Sequence, residues 1–229
     1  MAELTVVEHP VLADRLVVLR DRATSHGAFR RALEEASAIL AIEATRDLPT
    51  RDVTVETPLE PANGKVLLGE VAIVPVLRAG LGMVDGFLRL LPDARVGHLG
   101  MYRDEIDHSP VDYFERLPPG LAEAHVIVPD PMLATGGSAV HALKRLKEAG
   151  AERLRLVCLV SAPEGVEAVH AAHPDVPIWT AALDRELDDN AFIRPASGRG
   201  CSSRRTARRC GSSPTCRTRG RPRRRAPAG

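Results

Sequence analysis

Four short runs of this chain are apolar on both faces: Val71 to Val76, His125 to Val128, Leu154 to Val160 and Ile178 to Leu183. A strand of that kind has to be covered on both sides. Such strands belong to parallel sheets, whose crossover connections place helices over both faces. The segments between the runs supply the covers: Leu81 to Leu91, Gly137 to Ala149 (stopped by Gly150) and Glu164 to Ala172 are of helical length and period. Arg95 to Tyr102 reads as one more strand. The expected fold class is therefore α/β, a parallel sheet flanked by helices.

Two further helices are expected at the start. Pro10 to about Arg22 and Ala28 to about Asp47 repeat apolar residues three and four apart, as in Leu33, Ala36, Ile39, Leu40 and Ile42. Val53 to Thr57 alternates β-branched and charged residues between prolines, the pattern of an exposed or edge strand. Arg103 to Gly120 has no clear period and is expected to be a long excursion acting as a lid or binding loop.

The chain has 229 residues and a formal net charge of +1, but the charge is divided. Eleven of its 31 basic residues, all arginine, lie from Ala196 onward, where there is no acid; residues 1–195 keep 20 basic residues against 30 acidic ones. The body thus carries −10 and the tail +11. The tail also lacks Val, Ile, Leu, Met, Phe, Tyr and Trp, so it has little apolar surface to offset the entropy of ordering. Residues 1–195 are expected to form one domain and 196–229 a disordered basic tail.

Several function classes drop out. Aromatic residues make up 3% of the chain, too few for stacking platforms that bind single-stranded nucleic acid. No run approaches the ~18 apolar residues of a membrane span, and MAELTVVEHP is unlike a signal peptide, so a cytoplasmic protein is expected. Cys201, Cys210 and Cys216 lie in the tail at spacings unlike a zinc site, and Cys158 stands alone in an apolar run.

In an open parallel sheet, ligands bind at the carboxyl ends of the strands. After Val128 come Pro129, Asp130, Pro131, Met132, Leu133, Ala134, Thr135, Gly136, Gly137, Ser138 and Ala139, and then a helix. Paired glycines bring backbone N–H groups close to an anion, hydroxyls donate further hydrogen bonds, and the helix dipole favours negative charge. Asp130 suits a sugar diol or a bridging cation instead. Taken alone, TGGS reads equally well as a capped turn.

The longer string DPMLATGGSA resembles the 5-phosphoribosyl-1-diphosphate (PRPP) loop of uracil phosphoribosyltransferases, and the likeness extends over roughly residues 5–195. VPVLRAGLGM at 74–83 is similar to the diphosphate-binding turn of that family, GMYRDE at 100–105 to the start of its flexible loop, and SAPEGVEAVHAAHPDV at 161–176 to its late strand and helix. A single acid followed by proline marks the uracil branch; Pro129 departs from the apolar residue usual there. The resemblance implies a type I phosphoribosyltransferase that makes uridine monophosphate (UMP) and diphosphate from uracil and PRPP in pyrimidine salvage. It implies that Arg78 with Ala79 and Gly80 holds the diphosphate, that Arg103 closes over it, that Asp130 takes the ribose hydroxyls, that Ala134 to Ser138 hold the 5-phosphate, and that Pro131, Met132 and Leu133 also belong to the PRPP site. Asp130 and Arg103 are then the catalytic candidates. Mg²⁺ would be bound mainly through PRPP, with no protein ligand assigned. A homo-oligomer, activation by guanosine triphosphate in some members, and no nucleic-acid partner follow from the same resemblance. His9, His98, His108, His125, His141, His170 and His173 need no catalytic role and are expected at surface or capping positions.

The resemblance fails at the end. The family reads uracil through a loop running tyrosine-isoleucine-valine-proline-glycine-leucine-glycine-aspartate, whereas here the stretch is Phe192-Ile193-Arg194-Pro195-Ala196-Ser197-Gly198-Arg199. Only Ile193, Pro195 and Gly198 match, which leaves Ile193 and Gly198 as the uracil-binding candidates. Loss of one C from codons CCC GGC CTC GGG turns proline-glycine-leucine-glycine into proline-alanine-serine-glycine, the sequence 195–198. A frameshift is the expectation, together with impaired reading of uracil by the chain as it stands. The rival readings are a PRPP-binding member without activity and an RNA-binding pyrimidine-operon regulator with the tail as its RNA arm.

Overall fold

The computed structural model describes residues 3–103 and 110–195. The tail expected at 196–229, with Gly198 in it, lies outside the described residues. In chain order the elements are β1 (Leu4–Val6), α1 (Pro10–Arg20), α2 (His26–Ala44), β2 (Thr50–Glu56), β3 (Pro61–Leu67), β4 (Val71–Ile73), β5 (Val76–Leu77), α3 (Leu81–Leu88), β6 (Arg95–Val96), β7 (His98–Arg103), β8 (Pro110–Arg116), β9 (His125–Pro129), β10 (Met132–Leu133), α4 (Gly137–Glu148), β11 (Arg153–Ser161), α5 (Pro163–Ala172), β12 (Ile178–Leu183), β13 (Glu186–Leu187) and β14 (Ile193–Arg194).

The expected parallel sheet is present, in the order β1-β12-β11-β9-β4-β6 with β10 alongside β11, and all its pairings are parallel. Its two faces are both packed, as the apolar runs require. Ile73, Ile127 and Val157 point into one cluster with Leu12, Leu19, Leu40 and Phe87 from α1, α2 and α3. Val126, Val128, Leu156 and Cys158 point into the other with Leu143, Leu146 and Val169 from α4 and α5. Side chains alternate across a strand, so each run feeds both cores.

Two runs are divided between sheets. The Val71 to Val76 run splits at Pro75, which has no N–H to donate to a ladder: β4 stays in the central sheet and β5 enters a three-stranded sheet, β5-β7-β8. The Arg95 to Tyr102 run splits at Gly97 into β6 and β7 in the same way. The stretch expected to be an irregular excursion contains β8, which pairs antiparallel with β7 from His98–Arg116 to Arg103–Pro110. Its pattern is hidden because β8 lies on the exposed side of the ribbon, with Tyr113 52% and Phe114 46% exposed, while Leu99 and Met101 of β7 reach the core.

The strand around Val53 is part of an exposed hairpin, β2 with β3, paired from Thr50–Leu67 to Glu56–Pro61. His9 caps α1 as expected, accepting from the Val11 N–H at 3.2 Å. His173 is the C-cap of α5, as expected, though it is buried, while His125 departs from expectation, being buried within β9. Among the described residues no helix is long and apolar enough to cross a membrane.

Candidate active site

The carboxyl ends of β5 and β9 and the loop before α4 enclose a cleft of about 230 Å³. Arg78, Ala79, Asp130, Met132, Leu133, Ala134, Thr135, Gly136 and Ser138 line it, so the structure brings together most of the residues picked out from the sequence. Val76, Leu77, Met101 and Ala139 line it too. These four were missed. All four lie inside the strings that resemble the family, Val76 and Leu77 in 74–83, Met101 in 100–105 and Ala139 in 130–139, and that placement is the signal that could have found them.

On the β5 side the chain turns sharply after Leu77. The Leu77–Arg78 peptide bond is cis, and the Gly80 N–H donates to the Val76 carbonyl at 2.9 Å. Gly80 lies behind the wall rather than on it, pressed so closely on the Pro129 carbonyl that a Cβ there would collide with it. Arg78 is left exposed at the mouth, its guanidinium a planar fork of donors suited to phosphate oxygens.

On the β9 side, Asp130 follows directly on the last residue of the strand and is 7% exposed. Its N–H donates to the Val157 carbonyl at 3.0 Å, and its Oδ1 accepts from the Met132 N–H at 3.4 Å. The loop is then tied back to β11 and its exit: Val160 N–H donates to the Pro131 carbonyl at 3.1 Å and Ala162 N–H to the Leu133 carbonyl at 2.9 Å. Gly136 has φ 80° and ψ −15°, a left-handed conformation that favours glycine, and it caps α4 without any side-chain hydrogen bond. Glycine has no side chain to cap the first turn of α4, and at a helix N-terminus the backbone N–H groups and the helix dipole favour an anion.

Behind Asp130 lies Cys158, fully buried. Burial pushes its thiol well above the ordinary range and the Asp130 charge adds to the effect, so this cysteine stays protonated. The cleft thus offers an arginine fork, a carboxylate and backbone donors. That set stabilises charge and positions a substrate.

Arg103 ends β7, opposite Pro110, at the edge of residues 104–109, and its side chain is not among those described. Ile193 is placed elsewhere. Its side chain is 1% exposed and sits in the core cluster with Leu12 and Leu19, so only its backbone is left for a ligand.

The model of the family described as uracil phosphoribosyltransferase matches residues 6–200 of the chain. The chain belongs to the uracil phosphoribosyltransferase family. Within the family, it is 56% identical over 198 residues to the uracil phosphoribosyltransferase of Salinibacter ruber, an alignment covering 86% of this chain and 94% of that protein. It is 50% identical over 199 residues to that of Halalkalibacterium halodurans, covering 86% and 95%. Among solved structures, the AQ2163 protein from Aquifex aeolicus superposes with a TM-score of 0.80 at 31% identity, over 84% of this chain and 93% of that one. An adenine phosphoribosyltransferase from Giardia lamblia complexed with 9-deazaadenine has a TM-score of 0.51 at 15% identity, a likeness of fold. The family match stops at residue 200, near the point where the arginine-rich sequence begins.

Proposed function

We propose that the cleft binds PRPP and that the chain transfers its phosphoribosyl group to N1 of uracil. The bond from the anomeric carbon to the diphosphate oxygen breaks, the bond to N1 forms, and the N1 proton leaves to solvent; the products are UMP and diphosphate. What carries this reading is the meeting of Arg78, Asp130 and the loop residues Thr135, Gly136 and Ser138 at the start of α4 in one cleft. Diphosphate goes to Arg78 and the Ala79-Gly80 backbone, and the 5-phosphate to the loop Ala134 to Ser138 at the helix N-terminus. Asp130 takes the ribose hydroxyls and its charge favours the cation-like sugar centre. Arg103 closes over the diphosphate and keeps water out. Uracil is read by the segment that starts at Ile193 and includes Gly198.

Among the described residues no group of three or more histidine, cysteine or acidic side chains could hold a metal, while Asp130 stands in the cleft. That donor set fits Mg²⁺, which takes most of its ligands from substrate phosphates and water. When bound, the ion neutralises the departing diphosphate. Assembly as a homo-oligomer and action in the cytoplasm belong to the same reading.

Uracil-dependent release of diphosphate from PRPP is the test, run with Asp130→Asn and with guanosine triphosphate added in a parallel arm. The amide keeps the shape and loses the charge, so turnover should fall by roughly a hundredfold with an unchanged circular dichroism spectrum. Equal turnover at saturating substrates would remove Asp130 from the site.

A further inference from the structure

The phosphate loop and the proposed base-reading segment are separate pieces of chain, and the first turn of α5 touches the loop and the strand β13 that pairs with the start of that segment. On one side it lies on the loop. A Cβ at Gly165 would collide with the Ala134 carbonyl and come within 2.8 Å of the Leu133 carbonyl. Reciprocally, a Cβ at Gly136 would sit 2.9 Å from the Gly165 carbonyl oxygen and 2.9 Å from the Ala168 Cβ. No side chain separates helix from loop there.

On the other side, Glu164 reaches off the helix. Its Oε1 accepts from the Leu187 N–H at 3.0 Å. Leu187 lies in β13 and pairs with Ile193 in β14, the strand from which the base-reading segment departs. An acid in a first helical turn is ordinarily placed there by the helix dipole. A bond to another element 23 residues away is not part of that role.

The hairpin has independent anchors. Asp184, two residues before β13, is 7% exposed and takes a bidentate pair from Arg20, at 3.0 Å from Nη1 and 2.7 Å from Nη2. The Asp184 N–H donates to the Ser161 carbonyl at 2.8 Å, and Ile193 is held in the core. With these in place, losing the Glu164 contact leaves the hairpin folded and frees its β13 edge to shift.

We infer that Glu164 is a positioning residue for the base, setting the spacing between the phosphate loop under Gly165 and β14 at Ile193. The inference rests on the reading that uracil is taken by the segment that starts at Ile193. Glu164→Ala should raise the KM for uracil about three- to tenfold, the worth of one exposed hydrogen bond, with kcat and the KM for PRPP within about twofold of the parent. Exchange of the Leu187 amide should quicken. Glu164→Gln keeps an acceptor oxygen and should restore both, whereas a helix-dipole role alone would make it behave like the alanine variant. An unchanged uracil KM in Glu164→Ala, or a glutamine variant no better than alanine, would overturn the inference. If the parent forms no UMP, the reading of the base fails by itself, and the positioning is decided by the Leu187 amide with PRPP affinity from calorimetry. Faster exchange reversed by glutamine at constant PRPP affinity supports it, and unchanged exchange overturns it.

Discussion

Arg78 is exposed at the mouth of the cleft with no core to support, so its removal tests binding with little disturbance of packing. Arg78→Ala should weaken PRPP binding by roughly 1.5–3 kcal/mol, the worth of a hydrogen-bonded contact between charged groups, measured by calorimetry at an unchanged Tm. His125 should report on stability instead. It opens β9, is 7% exposed, and its Nδ1 has no hydrogen-bond partner. Burial holds its pKa below the ordinary value, the charges of Arg155 and Arg153 push the same way, and Asp47 opposes them. The folded chain therefore keeps the ring neutral where the unfolded chain takes up a proton, so stability present above about pH 6.5 is lost as the pH falls below it. Thermal melts from pH 7.5 to 5.5 should show this slope, and His125→Gln should flatten it; equal slopes in both would contradict the assignment. Asp130, Arg78, Thr135 and Ser138 could be picked out in the sequence because each stands just beyond an apolar run, where a parallel sheet presents its ligands. Glu164 and Asp184 could not, since their partners Leu187 and Arg20 are 23 and 164 residues away.

At the scale of elements, the turn between β5 and α3 and the loop between β9 and α4 share one wall. Gly80 is where they press together, its missing Cβ lying against the Pro129 carbonyl. Gly80→Ala should push the two turns apart, costing roughly 1–3 kcal/mol in urea unfolding and weakening PRPP binding at the same time. A variant with parent stability and parent PRPP affinity would show that the turns move independently. The elements legible in the sequence are those that bury a face: α2 to α5 carry the helical period that burial imposes, and β9, β11 and β12 stand out as runs apolar on both faces. β10, β13 and β14 are two-residue strands with no room for a period. β3 and β8 belong to exposed ribbons, where packing does not select the alternation. The splitting of two apolar runs was hidden for another reason, since hydrophobicity marks a strand without saying which sheet it joins.

Over the whole molecule, an acidic body of −10 is joined to a basic segment of +11, and the family match ends at residue 200, close to that junction. The residues proposed for uracil straddle it, Ile193 before it and Gly198 after it. Everything assigned to PRPP lies in the body, while the uracil side begins at Ile193 and runs into sequence that departs from the family ending. A change confined to the end of the chain should therefore act on uracil and leave PRPP alone. The direct measurement is UMP formation from uracil and PRPP by the chain and by a version whose residues 196–229 are replaced with the family ending. The account predicts UMP and diphosphate in equal amounts, a KM for PRPP shared by the two chains, and a lower KM for uracil in the version with the family ending. No UMP from either chain, with PRPP still bound, would contradict it.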